Sequence, residues 1–452
     1  MLEHSFSVPE DDLGAWIEAL PERAAVFALF GRDARDEPYI SKTANLRRRM
    51  HRLLAPAAAG DKRLHLAGKI SRLTYSEVGS QFATSLLLVQ ATREFCGTRA
   101  RDRLRLRPPA LLRFAAENAY PRVYVTNRVA QRAMATTYGP FSSRAAAERF
   151  LEDSLNFFEL RRCTEELHPD PAFPGCIYSE MKMCLAPCFK GCTDERYAEE
   201  ARRVQDYFAS RGALTIAEDE REREAASAEL DFEKAARLHQ RVQKIKAVTQ
   251  QTAPIVHPLA QLNAIIVQPA VETEVQLAPG PAPAEKLSDR ALRCEAQGVE
   301  IFLLRAGRIL GPGFYSVEGM RHPNERAGST SLFAHPTLLE PTPLETPLVS
   351  SVVATPVQGR APRGHLEEWL QAVIDELDTE SRTNKFPPDQ IAEHLSLLAR
   401  WYYRPPARRT GEIFFRNDDG TFPIARILRG ISRVFCGQRE LPEISASSVA
   451  PA

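Results

Sequence analysis

The amino-acid sequence predicts an α+β multidomain protein with a small α/β module, a helical Cys-rich region, a helical hairpin and a mixed α/β C-terminal region. Two kinds of pattern predict this class, namely short apolar runs bounded by glycine or proline, and apolar residues at helical spacing. The chain has 452 residues, which is enough for about two to four domains. One function therefore need not account for the whole chain.

The first predicted unit is the small α/β module. The run AAVFALFG predicts a strand that ends at Gly31, and PYIS predicts a second strand. In TANLRRRMHRLL, apolar residues recur on one side of a helix and arginines on the other. A further helix is expected over residues 81–95. Strands and helices that follow one another this closely indicate a small α/β unit.

The next segment combines strand and helix signals. YPRVYVTN predicts a strand that leads to YGPF (138–141), which we expect to be a turn. Ser142 or Ser143 is then expected to cap the helix RAAAERFLEDSLNFF. The Cys-rich stretch CIYSEMKMCLAPCFKGC follows this helix.

Two helices are expected after the cysteines. In the second, apolar residues recur at intervals of three or four, which places them on one helical stripe: Phe232, Ala235, Leu238, Val242 and Ile245. Such a stripe fits either an internal helix of a bundle or a helical hairpin that binds a partner.

The C-terminal half begins with a Pro- and Ala-rich stretch, residues 252–286, which predicts a linker or long loop. VEIFLLRAGRILGPGFYSV then has a hairpin-like pattern, and residues 321–363 are rich in Pro and Thr and expected to be irregular. Two amphipathic helices are expected near 365–378 and 389–403.

GEIFFRNDDGTFPIARIL predicts a final hairpin with its turn at Asp418, Asp419 and Gly420. The two adjacent acids are candidates for a metal site, but Asn, Asp and Gly at a hairpin tip mainly serve the turn itself. We therefore assign them a structural role.

Composition limits the possible classes of protein. Hydrophobic residues make up 44% of the chain and charged residues 26%, and no run of about 18 apolar residues exists that would span a membrane. The start of the sequence, MLEHSFSVPEDDLGAW, lacks an apolar signal segment. We therefore expect a cytoplasmic protein, in which thiols stay reduced and disulfides are rare.

Charge is distributed unevenly along the chain. The net charge is +1, yet the segment from Arg93 to Arg132 holds ten arginines against three acids. A basic run is most often a solvated face, but clustered arginines are also where a phosphate backbone binds. The candidate DNA-binding residues are Arg47, Arg48, Arg103, Arg105 and Arg107.

Cysteines are concentrated in one region. Twelve, seven and three residues separate Cys163, Cys176, Cys184 and Cys188 in turn, and three more lie between Cys188 and Cys192. Clustered thiolates suit zinc or an iron–sulfur cluster. Zinc ribbons usually show two C-x-x-C pairs, and none occurs here. Spacing alone leaves an iron–sulfur cluster, zinc and unmetallated thiols open.

Three motifs occur in the order YGPFSSRAAAERFLEDSLNFFELRRC, CIYSEMKMCLAPC and ELDFEKAARLHQRVQKI. Together they resemble the middle of UvrC, the incision subunit of the bacterial UvrABC nucleotide-excision-repair nuclease. The resemblance implies an iron–sulfur cluster, of the 4Fe-4S type, on Cys163, Cys176, Cys184 and Cys188, with zinc as the alternative. Cys192 lies outside that pattern.

The third motif resembles the UVR motif, a helical hairpin that pairs with UvrB. The resemblance therefore implies a UvrB-like partner. Leu230 and Phe232 would be the apolar anchors, with Glu233, Ala235 and Ala236 beside them.

UvrC begins with a GIY-YIG nuclease module, and the N-terminal module here resembles a degenerate one. KTANLRRR places Arg49 at the catalytic arginine, and PYIS followed by Lys42 stands where Tyr-Ile-Gly-Lys is expected, which puts Tyr39 at its tyrosine. Phe27 replaces the tyrosine of the first motif, and Val89 replaces the glutamate that binds the metal ion.

Hydrolysis of a phosphodiester in this family requires a carboxylate that holds Mg²⁺, which a valine cannot supply. Tyr39, Lys42 and Arg49 remain as groups that face phosphate. We therefore predict a module that binds the phosphate backbone without cutting it, and Mg²⁺ is expected only if nuclease activity remains.

Beyond the UVR motif the resemblance becomes weaker. LAQLNAIIVQ and VEIFLLRAGRILGPGFYS resemble the stretch of UvrC just after the hairpin. The Asp/Asp/His metal site of the RNase H-like domain of UvrC has no recognisable counterpart, so we expect that active site to be absent.

Six segments result from these patterns. They are an N-terminal extension (1–22), the GIY-YIG-like module (23–100), a basic and Cys-rich cluster region (101–195), the UVR-type hairpin (196–250), a UvrC-like strand region with a Pro/Ala-rich loop (251–320), and a C-terminal region of unknown role (321–452). The predicted function is binding of DNA and UvrB in excision repair with impaired or absent incision. An active endonuclease subunit and an iron–sulfur redox or sensor protein are the alternatives.

Overall fold

The structure is a computed structural model. It describes residues 2–9, 12–33, 35–54, 66, 68–271, 273–275, 294–317, 320, 363–383, 386–417 and 419–437. Asp418 and the Pro- and Thr-rich segment from 321 to 362 lie outside these ranges, so the predictions made for them are not addressed.

A four-stranded antiparallel sheet with strand order β1-β4-β2-β3 forms the first unit. Its elements are β1 (His4–Ser7), α1 (Leu13–Glu18), β2 (Ala25–Gly31), β3 (Tyr39–Thr43), α2 (Leu46–Leu54), β4 (Ile70–Glu77), α3 (Gln81–Cys96) and α4 (Ala100–Leu104). The strands and helices predicted for the α/β module are confirmed. The segment predicted to be an N-terminal extension contributes β1 and α1 to the same unit.

Helices cover both faces of this sheet. Successive residues of a strand point to opposite faces, so Phe27 packs with Leu46 of α2 while Val26 packs with Ala91 of α3. Helices α1 and α2 therefore lie on one face, and α3 lies on the other.

The second unit contains a sheet with strand order β6-β5-β7-β8. Its elements are β5 (Ala110–Phe114), β6 (Val123–Thr126), β7 (Thr137–Phe141), α5 (Arg144–Leu155), α6 (Ile177–Glu180) and β8 (His257–Pro258). Ser143 caps α5 as expected, accepting a hydrogen bond from the backbone N–H of Ala146. The Cys-rich region is helical only in α6 and in one 3₁₀ turn, Pro187–Phe189.

The prediction of a turn at YGPF was wrong, because these residues belong to strand β7. Tyr138 pairs with Leu112 of β5 on one side and with Pro258 of β8 on the other. All residues of β7 are buried. Local turn signals were overridden here by strand pairing with distant residues.

Three helices follow the cysteines: α7 (Asp194–Ala209), α8 (Ala213–Ala228) and α9 (Phe232–Gln250). Helices α8 and α9 pack side by side and form the predicted hairpin. The stripe of α9 is divided, since Val242 and Ile245 are fully buried while Phe232 is 65% exposed. The base of the hairpin is thus anchored in the protein and its tip is not.

The C-terminal unit is a sheet with strand order β13-β12-β9-β14 that carries three helices. Its elements, with a separate two-stranded pair β10–β11, are β9 (Asn263–Pro269), β10 (Thr273–Val275), β11 (Cys294–Ala296), β12 (Gly298–Arg305), β13 (Arg308–Ser316), α10 (Arg363–Thr383), α11 (Pro388–Tyr402), β14 (Glu412–Phe415) and α12 (Ile424–Phe435). The hairpin β12–β13 and both amphipathic helices are confirmed. Part of the stretch predicted to be a linker is instead the central strand β9.

The predicted final hairpin was also wrong. Strand β14 pairs with β9, and the chain then turns into helix α12 rather than into a second strand. After Pro423, Ile427 and Ile431 recur at helical spacing and are fully buried, which fits a helix that covers the sheet. Among the described residues, no helix is long and apolar enough to cross a lipid bilayer.

Candidate nucleic-acid interface and cysteine cluster

Tyr39 and Arg49 form a hydrogen-bonded pair at the edge of an open cleft beside α2. Strand β3 presents Tyr39, and Arg49 Nη2 donates to the Tyr39 hydroxyl at 2.8 Å. The cleft has a volume of about 1000 Å³ and is also lined by Arg48. Arg48 is exposed, so this cleft can contact a phosphate through Arg48 and Arg49.

Arg47 lines the same cleft, but its guanidinium is already bonded to other groups of the protein. Its Nη1 lies 2.7 Å from Glu22 Oε1 and 3.6 Å from Glu18 Oε2, and its Nε donates to the Leu20 carbonyl at 2.8 Å. These bonds tie α2 to the segment around α1. Arg47 therefore has a set of structural partners, whereas the side chain of Arg48 has no ion pair among the described residues.

Lys42 does not join Tyr39 and Arg49. It pairs with Val26 in the sheet register, whereas Tyr39 pairs with Leu29, so the two side chains point to opposite faces. Burial lowers the pKa of Lys42, and the nearby positive charges of Arg400 and Arg404 lower it further. The three predicted phosphate-facing groups are thus divided between two sites.

Arg400 and Arg404 were not predicted from the sequence. They lie at the C-terminal end of α11 and just beyond it, more than 350 residues from Lys42 along the chain. The side chain of Arg404 also bonds to Gln81 at the start of α3. No local pattern signals this proximity, because only the packing of α11 on α3 creates it.

The two positions predicted to differ from a nuclease motif are both buried. Phe27 is completely buried in the core beneath α2, and Val89 is only 2% exposed. Val89 belongs to the apolar core that also contains Phe82, Leu86 and Trp401. A hydroxyl or a carboxylate at these positions would have to be accommodated within packed apolar groups.

Helix α3 is fixed against the C-terminal unit along the face that carries Val89. The ring of Phe82 lies 5.2 Å from those of both Phe302 and Trp401. One turn after Val89, Arg93 makes a two-pronged ion pair with Glu393 of α11, at 2.5 and 2.9 Å. This face of α3 is therefore an internal contact between units.

The arginines predicted in the basic run have different environments. Arg103 is bonded to Glu37, to which Arg99 Nε is also paired at 2.8 Å. Arg105 and Arg107 are exposed, and they line a second cleft together with Arg400. Only the latter two therefore remain available for an anion.

The four predicted metal ligands influence one another electrostatically. Burial raises the pKa of Cys184 to about 11, and the nearby thiolates of Cys163, Cys176 and Cys188 contribute in the same direction. Cys192 is influenced by Cys188 and Asp194 instead. Cys163, Cys176 and Cys188 thus lie close enough to Cys184 for their charges to affect its pKa, and the ligand set itself stays a prediction.

Two polar contacts reach the sulfur atoms. The backbone N–H of Ala186 donates to Cys184 Sγ at 3.3 Å, and Arg161 Nη1 donates to Cys163 Sγ at 3.6 Å. Soft thiolates are suitable donors for iron or zinc. Within the described part of the chain, however, no group of three or more His, Cys, Asp or Glu side chains is arranged to hold a metal ion.

The tip of the α8–α9 hairpin presents apolar side chains to solvent. Leu230 is 72% exposed, and its φ of +63° lies in the left-handed region. Asp231 caps α9 by accepting from the backbone N–H of Lys234 at 3.0 Å. Glu233 and Ala236 are exposed beside Phe232, and Ala235 is half-buried. The loop conformation thus presents Leu230 and Phe232 outward.

Comparisons with known proteins give the same assignment for two parts of the chain. Residues 110–207 match the middle domain of the UvrC/Cho excinucleases, and residues 216–248 match the UvrB/UvrC motif. The first range runs from β5 to α7, and the second covers most of the α8–α9 hairpin. No solved structure matches the chain.

Curated relatives are UvrABC system proteins C. The protein of Pseudomonas putida is 25% identical over 53% of this chain and 39% of its own length. That of Alcanivorax borkumensis is 26% identical over 47% of this chain and 35% of its own length. The protein of Ruminiclostridium cellulolyticum is 24% identical over 75% of this chain and 52% of its own length. The chain thus spans between about a third and a half of the length of these relatives, and it is similar to UvrC proteins in both family motifs, in their order.

Proposed function

We propose that this protein binds DNA and a UvrB-like partner in nucleotide excision repair in the cytoplasm, and that its GIY-YIG-like module holds DNA without incising it. The observation that carries the proposal is the burial of Val89, which is 2% exposed on the face of α3 that packs against α11. A catalytic Mg²⁺ needs a carboxylate that is accessible to it and to the substrate.

The groups that remain in the module support binding. The Tyr39–Arg49 pair and the exposed Arg48 surround an open cleft, and arginine recognises phosphate through its planar fork of donors. Contacts of this kind fix a protein on the DNA backbone without reading the bases. The expected contribution of the module is therefore affinity.

A nicking assay on damaged and flap DNA tests the absence of cutting. The full chain is incubated with Mg²⁺ or Mn²⁺, with and without UvrA and UvrB. We expect no product above background from this chain alone. Robust cutting that disappears in Arg49→Ala would overturn the proposal and favour an active endonuclease subunit.

The hairpin tip supports a UvrB-like partner. Val242 and Ile245 anchor the base of α9, where Lys246 also pairs with Glu220 of α8 at 2.8 Å. The exposed Leu230 and Phe232 at the other end are the kind of apolar anchors that concentrate binding energy. They are not needed for the core of this chain.

Association with a UvrB-type protein is measured for Phe232→Asp and for a matched control, Leu214→Asp. Leu214 is 58% exposed near the opposite end of the same hairpin. We expect Phe232→Asp to weaken binding at least about tenfold, since loss of a central aromatic anchor commonly costs more than 1.4 kcal/mol. Equal binding by the wild-type chain and Phe232→Asp would contradict the assignment.

An iron–sulfur cluster on Cys163, Cys176, Cys184 and Cys188, with zinc as the alternative, is part of the proposal. The four thiols influence one another at Cys184, whereas Cys192 is influenced by Cys188 and Asp194. Protein purified without oxygen is assayed for iron, sulfide and zinc. We expect Cys163→Ser to lose the metal and Cys192→Ser to keep it, and the reverse result would refute the ligand set.

A further inference from the structure

A second cleft, remote from the Tyr39–Arg49 pair, lies where three units meet. It has a volume of about 720 Å³ and runs between the segment before β5, the start of α5 and the C-terminal part of α11. Arginines line it: Arg105, Arg107, Arg144 and Arg400. We call it the arginine groove. None of the described residues that line it is acidic.

Three of these arginines have no carboxylate partner within the described part of the chain. Arg105, Arg107 and Arg400 are exposed and make no ion pair there, whereas Arg144 bonds to Glu148 at 2.7 Å. Elsewhere in the basic run Arg103 is neutralised by Glu37. The arginine groove therefore concentrates uncompensated positive charge.

The positive region extends beyond the groove. Arg400 lies near Lys42 and Arg404, and its charge lowers the pKa of both, in addition to the effect of their burial. Like charges held together in this way repel one another, and a polyanion laid along them relieves the repulsion. This is the charge pattern of a surface that tracks a phosphate backbone.

The floor of the arginine groove is apolar. Leu106, Val125, Phe141 and Tyr403 line it between the charged groups. The Tyr403 hydroxyl donates to the Pro140 carbonyl at 2.9 Å, which fixes the direction of its ring. A duplex hides its bases from such a floor, but a single strand can place them on it.

We propose that the arginine groove binds a single strand of nucleic acid, with its phosphates on the arginines and its bases on the apolar floor. The proposal rests on the DNA-binding role proposed above and adds to it a strand type and a location separate from the Tyr39–Arg49 cleft. In excision repair the expected source is an unpaired stretch of DNA.

Fluorescence anisotropy on the full chain tests the proposal. The probes are a fluorescein-labelled oligo(dT) of about 15 nucleotides, an oligo(rU) of equal length, and a matched DNA duplex. We expect Arg105→Ala/Arg107→Ala to weaken oligo(dT) binding about tenfold and to reduce the slope of log affinity against log salt by about 1.4, since each contact to a single strand contributes about 0.7.

Charge reversal on a different element gives an independent variant. Arg400→Glu places a carboxylate on α11 inside the arginine groove and is expected to weaken oligo(dT) binding at least as much. The matched control is Arg101→Ala/Arg132→Ala, which removes two exposed arginines from the same basic stretch outside the groove. All substituted side chains are exposed, and far-UV circular dichroism verifies that each variant is folded.

The outcomes separate this proposal from the broader one. Equal losses in the control variant, or equal losses for duplex and oligo(dT), would overturn a single-strand site in the arginine groove while leaving DNA binding intact. A wild-type chain that binds none of the probes would contradict both proposals. Tight oligo(rU) binding lost in the same variants supports a site indifferent to the sugar, and weaker oligo(rU) binding supports DNA as the ligand.

Discussion

The substitution Val89→Glu introduces the carboxylate that the predicted nuclease motif would carry, and we expect it to destabilise the protein without producing nuclease activity. The side chain is 2% exposed in the core with Phe82, Leu86 and Trp401. Arg93, one helical turn after position 89, already has its guanidinium bonded to both carboxylate oxygens of Glu393. An ionised carboxylate at position 89 would therefore have to compete with Glu393 for this cation.

The magnitude follows from the pKa of the introduced group. A buried glutamate avoids its charge by staying protonated, and holding it so at a pH about three units above its usual pKa costs about 4 kcal/mol, at 1.36 kcal/mol per unit. Arg93 could pair with the new carboxylate only by leaving Glu393, which would then be buried without a partner, and the free-energy cost of that is at least as large. The loss of stability is therefore expected to shrink as the pH is lowered toward 4.5.

Urea denaturation at pH 5 and pH 8 measures this loss. Val89→Gln is the matched control, because it has the same shape but no charge and should lack the pH dependence. The nicking assay is run on the same samples with Mg²⁺. Unchanged stability of Val89→Glu together with metal-dependent cutting would refute the reasoning and show that this face of α3 is open to substrate.

Three further predictions concern stability. Burial, with the nearby charge of Glu3, raises the pKa of Glu300 to about 7. The folded state therefore keeps a proton that the unfolded chain releases above about pH 4.3, so the free energy of unfolding should fall by up to about 3 kcal/mol between pH 4.5 and 7. Urea titrations should show this trend flattened in Glu300→Gln. Burial lowers the pKa of His394 to about 3. The unfolded chain therefore binds a proton that the folded protein does not, and the free energy of unfolding should fall as the pH decreases from about 6.5 toward 3. In thermal melts, His394→Gln should remove this decline. A Cβ on Gly79 would overlap the backbone of Ala270, which lies in the third unit. We therefore expect Gly79→Ala to weaken the contact between the first and third units and to lower the melting temperature. An unchanged melting temperature would contradict this contact.

Local patterns predicted most of the helices and strands of the described chain. Apolar residues at helical spacing located α9, α10 and α11, and apolar runs located β2, β3 and the β12–β13 hairpin. Two of the errors occurred where turn residues were given too much weight. YGPF became strand β7, and the sequence after Asp419 became helix α12, because pairing and burial against distant strands outweigh local turn preference.

The candidate sites were predicted to different degrees for the same reason. Tyr39 and Arg49 are hydrogen-bonded and Phe232 is exposed, and all three residues were singled out from motifs that are local in sequence; their roles stay predictions. The sequence could not reveal that Lys42 faces away from Arg49 or that Arg103 is hydrogen-bonded to Glu37. Those facts depend on which face of the sheet each residue takes and on residues far along the chain.

The sequence by itself determined the similarity to UvrC proteins, the order of the cysteines, the helical hairpin and the presence of a valine, not a carboxylate, at position 89. Only the tertiary structure shows that Val89 is buried where α3 packs against α11, and that Arg105 and Arg107 line the same groove as Arg400. Residue type is enough to exclude a metal ligand at one position, since the side chain of a valine cannot bind a metal ion. A binding surface requires charges from distant segments to be brought together, and that proximity arises from the packing of the units.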